Sequence, residues 1–165
     1  IVSLEQAHAL MVEQELAFRV SESINSKVEN LEALKTFFDA VAPAVELPDL
    51  NFSSEEFTAL DIIANNAMVH KLIIGQWREP SRDLDTIATT LYCDDKLLVS
   101  EASSKVLDGQ WQTLLWMVNH VIAQGYTIRP GQILLTCAMN GMHEAKACHY
   151  SADFGPLGMI RFAVH

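Results

Sequence analysis

Three cysteines in 165 residues, Cys93, Cys137 and Cys148, are too few and too irregularly spaced for a disulfide framework. No C-x-x-C pair occurs, so a zinc knuckle is not indicated either. A reducing compartment, the cytoplasm, is the expectation. Positive charge is also scarce. Eleven Lys and Arg stand against 21 Asp and Glu, a net charge of −10, which argues against general affinity for nucleic acid or anionic membranes. No apolar run reaches the roughly 18 residues of a membrane span. Repeats and low-complexity segments are absent. So are G-x-G-x-x-G, Walker and G-x-S-x-G motifs, which leaves nucleotide binding and an α/β-hydrolase triad with little support.

What is there suffices for a core. Half of the residues are hydrophobic, and the length suits one domain over residues 1–165. Residues 4–11 read as a short helix or an extended segment, and Glu13 to Val20 as a half-alternating strand. Asn30 can N-cap a helix whose apolar face is Leu31, Leu34, Phe37 and Phe38. Val41 to Leu47 reads as a buried strand. Ser53-Ser54-Glu55-Glu56 opens a short helical stretch, Asp61 to Val69 is helical or tightly turned, and His70 to Gln76 is a strand. Asp94-Asp95 joins two strands, Thr86–Cys93 and Lys96–Ser100, as a hairpin. Asp108 to Gln124 is the clearest helix, closed by Gly125. Ile133–Thr136, Met142–Ala147 and Met159–Val164 complete the strands. The result is a strand-rich α+β chain without the β-α-β rhythm of a doubly wound sheet.

Glu13 and Glu15 are two apart, so on a strand they share a face. Two such carboxylates repel unless they are solvated or bridged by a cation. Glu46 lies in the otherwise apolar Pro43-Ala44-Val45-Glu46-Leu47, where an unpaired glutamate is costly. If the three converge from two strands, they make a hard oxygen site suited to Mg²⁺, Mn²⁺ or Ca²⁺. The alternative is a wet face for Glu13 and Glu15 and a basic partner for Glu46.

The order of segments adds to this. Met11-Val12-Glu13-Gln14-Glu15-Leu16-Ala17-Phe18 resembles the R-I-E-x-E-I-A-F strand of the fumarylacetoacetate hydrolase superfamily. Pro43-Ala44-Val45-Glu46 is similar to the P-A-[IL]-E strand of its 2-keto-4-pentenoate hydratase and 4-oxalocrotonate decarboxylase branch. Asp61 to Ala67 resembles D-T-[IV]-A-D-N-A, and Leu72 to Gly75 resembles F-V-[IL]-G. Val106-Leu107, with Leu115-Trp116, is similar to V-L-G-H-P…A-W-L. Gly131 to Thr136 resembles G-D-[IV]-I-L-T-G, and Gly155 to Phe162 resembles the closing G-[IL]-G-S-V-x-x-x-F. The matches run in family order from about residue 11 to the end.

The resemblance implies a mixed, rolled β-sheet of the superfamily's C-terminal domain type, with peripheral helices. It implies a Mg²⁺ or Mn²⁺ ion on Glu13, Glu15 and Glu46, chelated by a small 2-oxo acid whose enolate the ion stabilises. Asp61 matches an acidic position near the active site, and Thr136 a threonine that holds the substrate carboxylate. The implied activity is a hydro-lyase adding water to an unsaturated 2-oxo acid of the 2-hydroxypenta-2,4-dienoate type, in aromatic-compound catabolism. A 2-oxo acid decarboxylase, or a non-catalytic relative or partner subunit, are the alternatives. A homo-oligomer, or a complex with a related subunit, is expected. An ordinary α+β binding domain is the reading if the resemblance is accidental.

Departures from the pattern are specific. Asn65 replaces the second Asp of D-N-A, Asp108-Gly109-Gln110 stands at G-H-P, Gln132 replaces the Asp of G-D-I, and Cys137 replaces the Gly after Thr. The chain opens Ile1-Val2-Ser3, and the family's N-terminal segment with its K-[IL]-G strand is expected to be lacking from it. Elsewhere, His70 reads as structural or solvent-facing. Alternation lets only one of His143 and Glu144 face a pocket. Cys148 and His149 are strand neighbours pointing to opposite faces. Trp111 and Trp116 read as core or subunit contact, and a Ser near Lys105 as a weak nucleophile candidate.

Overall fold

The computed structural model describes residues 1–52, 56–80, 83–103, 106 and 108–165. The expected helical start at Ser53-Ser54-Glu55 and the Ser104–Lys105 pair lie outside the described residues.

Two sheets carry the fold. The first has the order β3-β2-β1-β6, with β7 also pairing β1. Its strands are β1 (Met11–Val20), β2 (Phe38–Pro48), β3 (Val69–Ile74), β6 (Ile133–Leu135) and β7 (His143–Glu144). The second has the order β5-β4-β8-β9, made of β4 (Ala88–Cys93), β5 (Lys96–Ala102), β8 (Cys148–Asp153) and β9 (Met159–Val164). The ladders between these strands are antiparallel. Helices α1 (Leu31–Lys35), α2 (Ala59–Ala64) and α3 (Gln110–Ala123) accompany them. This is the expected strand-rich α+β architecture.

Strand β1 is central, so Gln14 to Phe18 are buried on both faces. Phe18 packs edge-on against Phe38 and Trp111, tying β1, β2 and α3 into one core. The opposite face of β1 and β2 is lined by Ala17, Ala40, Ala42 and Ala44, which leaves room beside Glu13, Glu15 and Glu46. Gln14, fully buried, straps the two sheets together. Its Nε2 donates to the carbonyls of Thr90 and Asp153, and its Oε1 accepts from Asn140 Nδ2.

Several local expectations correspond to the observed elements. Asn30 caps α1 by accepting from Ala33 N–H. Asp94 and Asp95 have φ 45° and 65°, the left-handed pair of a two-residue hairpin. Helix α3 buries Trp111, Leu114 and Val118 and leaves Trp116 exposed. Its Gln110 N–H is satisfied by Asp85 Oδ1 at 2.7 Å, from a segment 25 residues earlier.

Others need correction. Phe37 and Phe38 do not extend α1. The helix ends at Lys35 and Phe38 opens β2, because pairing with Val20 outweighs the helical spacing. The strand expected over Met142–Ala147 shrinks to His143–Glu144, and a separate strand, β8, begins at Cys148 and runs on to Asp153. Strand β8 alternates in burial, but its inward positions include a cysteine and an alanine, a weak hydrophobic signal. Cys93 and Cys148 form a disulfide, contrary to the reading of the cysteine spacing. Cys93 ends β4 and Cys148 begins β8, and the β4–β8 ladder brings together residues 55 positions apart. Among the described residues no helix is long and apolar enough to cross a membrane.

Candidate metal centre

Antiparallel register decides this site. Glu13 in β1 lies directly opposite Glu46 in β2, and Glu15 opposite Ala44. Directly opposed residues share a face, and so do i and i+2 along one strand. The three side chains therefore project together, and a carboxylate oxygen from each lies within 4.8 Å of the others.

Their surroundings are unusual for three acids. Glu15 is only 3% exposed, and its Oε2 is buried without a hydrogen-bond partner. Glu13 and Glu46 are half-buried. Burial, and then the Glu46 charge, push the Glu13 carboxyl up to about 7. Burial, the Glu46 and Glu13 charges, and a hydrogen bond with Glu46 push Glu15 up to about 8, against a lowering by the Cys137 N–H. Glu46 is also raised, by burial, while its hydrogen bond with Glu15 works in the other direction. No lysine or arginine among the described residues forms an ion pair with any of the three.

This donor set fits a hard divalent cation. Three carboxylates supply oxygen ligands, one buried oxygen lacks a partner, and no ion pair to a basic side chain offsets them among the described residues. Glu13, Glu15 and Glu46 would hold the ion.

The other two candidates are engaged in hydrogen bonds of their own. Asp61 is exposed in the first turn of α2. Its Oδ2 accepts from both the N–H and the Oγ1 of Thr58, each at 2.7 Å, in a capping box. These bonds hold its carboxyl below the usual range. Thr136 is fully buried just after β6, and its hydroxyl donates to Gln110 Oε1. Gln110 Nε2 in turn donates to the Ser103 carbonyl, so Thr136 ties the end of β6 to α3.

Cys137 joins the site. Its N–H bonds to Glu15, and its thiol is pushed up by burial and by all three glutamate charges. It is exposed and has φ 74°, a conformation that a glycine takes without cost. The Thr-Cys departure from Thr-Gly was the signal in the sequence. His143 is half-buried with its Nε2 3.0 Å from the Asn140 carbonyl, at the β7 end of β1.

No family model matches the chain. Relatives and solved structures do. A 4-oxalocrotonate decarboxylase from Pseudomonas sp. is 27% identical over 127 residues, which is 77% of this chain and 49% of that protein. A 2-keto-4-pentenoate hydratase from Burkholderia vietnamiensis is 24% identical over 153 residues, 91% of this chain and 58% of that one. The chain resembles this branch of the fumarylacetoacetate hydrolase superfamily.

Solved structures show the same fold. The 4-oxalocrotonate decarboxylase from Pseudomonas putida G7, complexed with magnesium and adipate, superposes with a TM-score of 0.89 at 19% identity, covering 99% of this chain and 64% of that one. Fumarylpyruvate hydrolase from Pseudomonas aeruginosa, in complex with Mn²⁺ and pyruvate, gives 0.75 at 13% identity, covering 99% and 69%. The chain spans about half the length of the curated relatives it matches, 49% and 58%.

Proposed function

We propose that Glu13, Glu15 and Glu46 hold a divalent ion, Mg²⁺ or Mn²⁺, in an enzyme that acts on a small unsaturated 2-oxo acid. The observation that carries this reading is the tricarboxylate cluster with its buried, unpartnered Glu15 Oε2. The metal-bound superfamily structures support it.

When bound, the ion supplies Lewis-acid polarisation of the 2-oxo group and so lowers the cost of enolate charge. The protein's own residues do the rest. Glu15, held by the Cys137 N–H and opposite a small alanine, fixes the inner wall. Ala17, Ala42 and Ala44 keep water-exposed polar groups away from that face. Thr136 is assigned to the substrate carboxylate by resemblance, and this role requires its hydroxyl to release Gln110. Asp61 is assigned as the nearby acid by resemblance, which requires its carboxylate to leave the Thr58 cap.

Hydration of a 2-hydroxypenta-2,4-dienoate-type substrate is the leading activity. Decarboxylation of a dicarboxylic 2-oxo acid is the second reading, favoured by the decarboxylase relative at 27% identity and the decarboxylase fold at TM-score 0.89. Self-association, or association with a related subunit, is proposed to cover exposed Leu60, Ile63, Trp116 and Tyr126.

Calorimetric Mn²⁺ titration of the protein and of Glu46→Gln tests the site. We expect at least a tenfold loss of affinity in the variant, and equal binding would overturn the proposal. With Mn²⁺ bound, loss of the dienol's ultraviolet absorbance reports hydration, and CO₂ release reports decarboxylation. Binding without either turnover would identify a non-catalytic relative.

A further inference from the structure

A second cluster of ligand-type side chains lies in the other sheet, where β4 ends and β8 begins. Cys93 Sγ, Cys148 Sγ and an Asp94 carboxylate oxygen all lie within 4.8 Å of one another. The two cysteines are joined as a disulfide with their Cα atoms 5.7 Å apart. A disulfide needs no carboxylate beside it, yet Asp94 is fixed there. Its Oδ1 accepts from His149 N–H at 2.9 Å and lies 3.5 Å from His149 Nδ1. The Asp94 N–H bonds to the His149 carbonyl at 3.0 Å, so the turn is clamped from both sides. Cys93 also borders a cavity of about 220 Å³ shared with His143, Glu144, Lys146 and Tyr150, which gives access from solvent.

We propose that reduction of the Cys93–Cys148 disulfide creates a second metal site, in which the two thiolates and Asp94 bind a thiophilic divalent ion such as Zn²⁺. The step balances with a dithiol or phosphine reductant. The S–S bond takes two electrons and two protons to give two thiols while the reductant is oxidised. Metal binding then releases both thiol protons as two Zn–S bonds form. Two sulfurs and one carboxylate oxygen leave a fourth tetrahedral position for water, with His149 beside Asp94. Soft sulfur ligands favour Zn²⁺ or Co²⁺ here, whereas the three glutamates favour Mg²⁺ or Mn²⁺. The disulfide and the metal exclude each other, because the metal needs two anionic thiolates and oxidation to the disulfide leaves both sulfurs neutral and weakly ligating.

Cobalt is the probe. The full chain is saturated with Mg²⁺ to occupy the glutamate site, reduced with a phosphine, and titrated with Co²⁺. A thiolate-to-cobalt charge-transfer band in the near ultraviolet is expected in the reduced protein, absent from the oxidised protein and displaced by Zn²⁺. Cys148→Ser should abolish the band, and the exposed Asp94→Asn should weaken Co²⁺ binding at least tenfold even if the buried Cys148 variant folds poorly. Glu46→Gln and Cys137→Ser should leave it unchanged. No band after reduction would overturn the proposal. So would a band that survives Cys148→Ser, one indifferent to Asp94→Asn, or one lost in Cys137→Ser, which would place the thiolate at the glutamate site.

Discussion

At the residue scale, the glutamate cluster makes stability depend on pH in an uncommon direction. Acids paired with cations have lowered pKa values and stabilise a fold as pH rises. Here Glu13 is raised to about 7 and Glu15 to about 8, above the ordinary 4.5 of a free glutamate. Between pH 4.5 and 8 the metal-free folded state therefore binds more protons than the unfolded chain, and its stability falls as pH rises. The loss begins near the unfolded value and is complete above about 8. Thermal unfolding in EDTA should show Tm dropping from pH 5 to pH 8. Saturating Mn²⁺ should abolish or reverse the drop, since the ion binds the deprotonated carboxylates. A flat EDTA profile would show that the three acids are not buried together. Glu15→Gln should flatten it by removing the most perturbed group.

At the scale of elements, the strap through Gln14 and the turn before β3 each make a prediction. Gln14 lies between the two metal-site glutamates in sequence, but alternation sends it to the other face, where it bridges β4 and β8. Gln14→Ala removes three side-chain hydrogen bonds from a fully buried position, those to the Thr90 and Asp153 carbonyls and the one from Asn140 Nδ2. A loss of about 3 kcal/mol is expected from denaturant unfolding. Asn66, Ala67 and Met68, between α2 and β3, have φ 49°, 54° and 63°. Each side chain pays for the left-handed conformation. Ala67→Gly should therefore raise stability by about 1 kcal/mol, with Mn²⁺ affinity unchanged. Destabilisation by that substitution would mean that the Ala67 methyl is needed for packing.

At the scale of the molecule, the Cys93–Cys148 link closes a segment 55 residues long, running through β5 and α3 to β7. Chain-entropy reasoning gives such a link about 2–4 kcal/mol, by restricting the unfolded state. Reduction, or Cys93→Ser, should lower Tm accordingly in a metal-free scan. Equal Tm values before and after reduction would show that the link does not restrain unfolding. The link joins two strands of the second sheet, whereas the glutamates lie in the first. The fold is thus stabilised in two ways, by a covalent bond between β4 and β8 and, in our proposal, by a hard cation between β1 and β2.

Local signals were legible without any structure. The E-x-E strand, the Asn30 cap, the Asp94-Asp95 hairpin and the run of α3 follow from periodicity, capping and turn chemistry, all of which act within a few residues. The shared face of Glu13 and Glu15 also follows from alternation alone. Other features are properties of pairs far apart in the chain. Which residue of β2 faces Glu13 is a matter of register, and a slip of one position would turn Glu46 to the opposite face. Spacing raised the convergence of three carboxylates only as one of two readings, and the tertiary structure decided it. The same holds for the disulfide, invisible in an odd cysteine count until β4 paired with β8. It holds for Thr136 too, whose hydroxyl meets Gln110 only because α3 packs against the end of β6. Local free energies choose the elements, but burial across the whole molecule chooses which side chains meet. For that reason composition and motif order set the class of this protein, while the pairing of strands decided which side chains meet at both of its clusters.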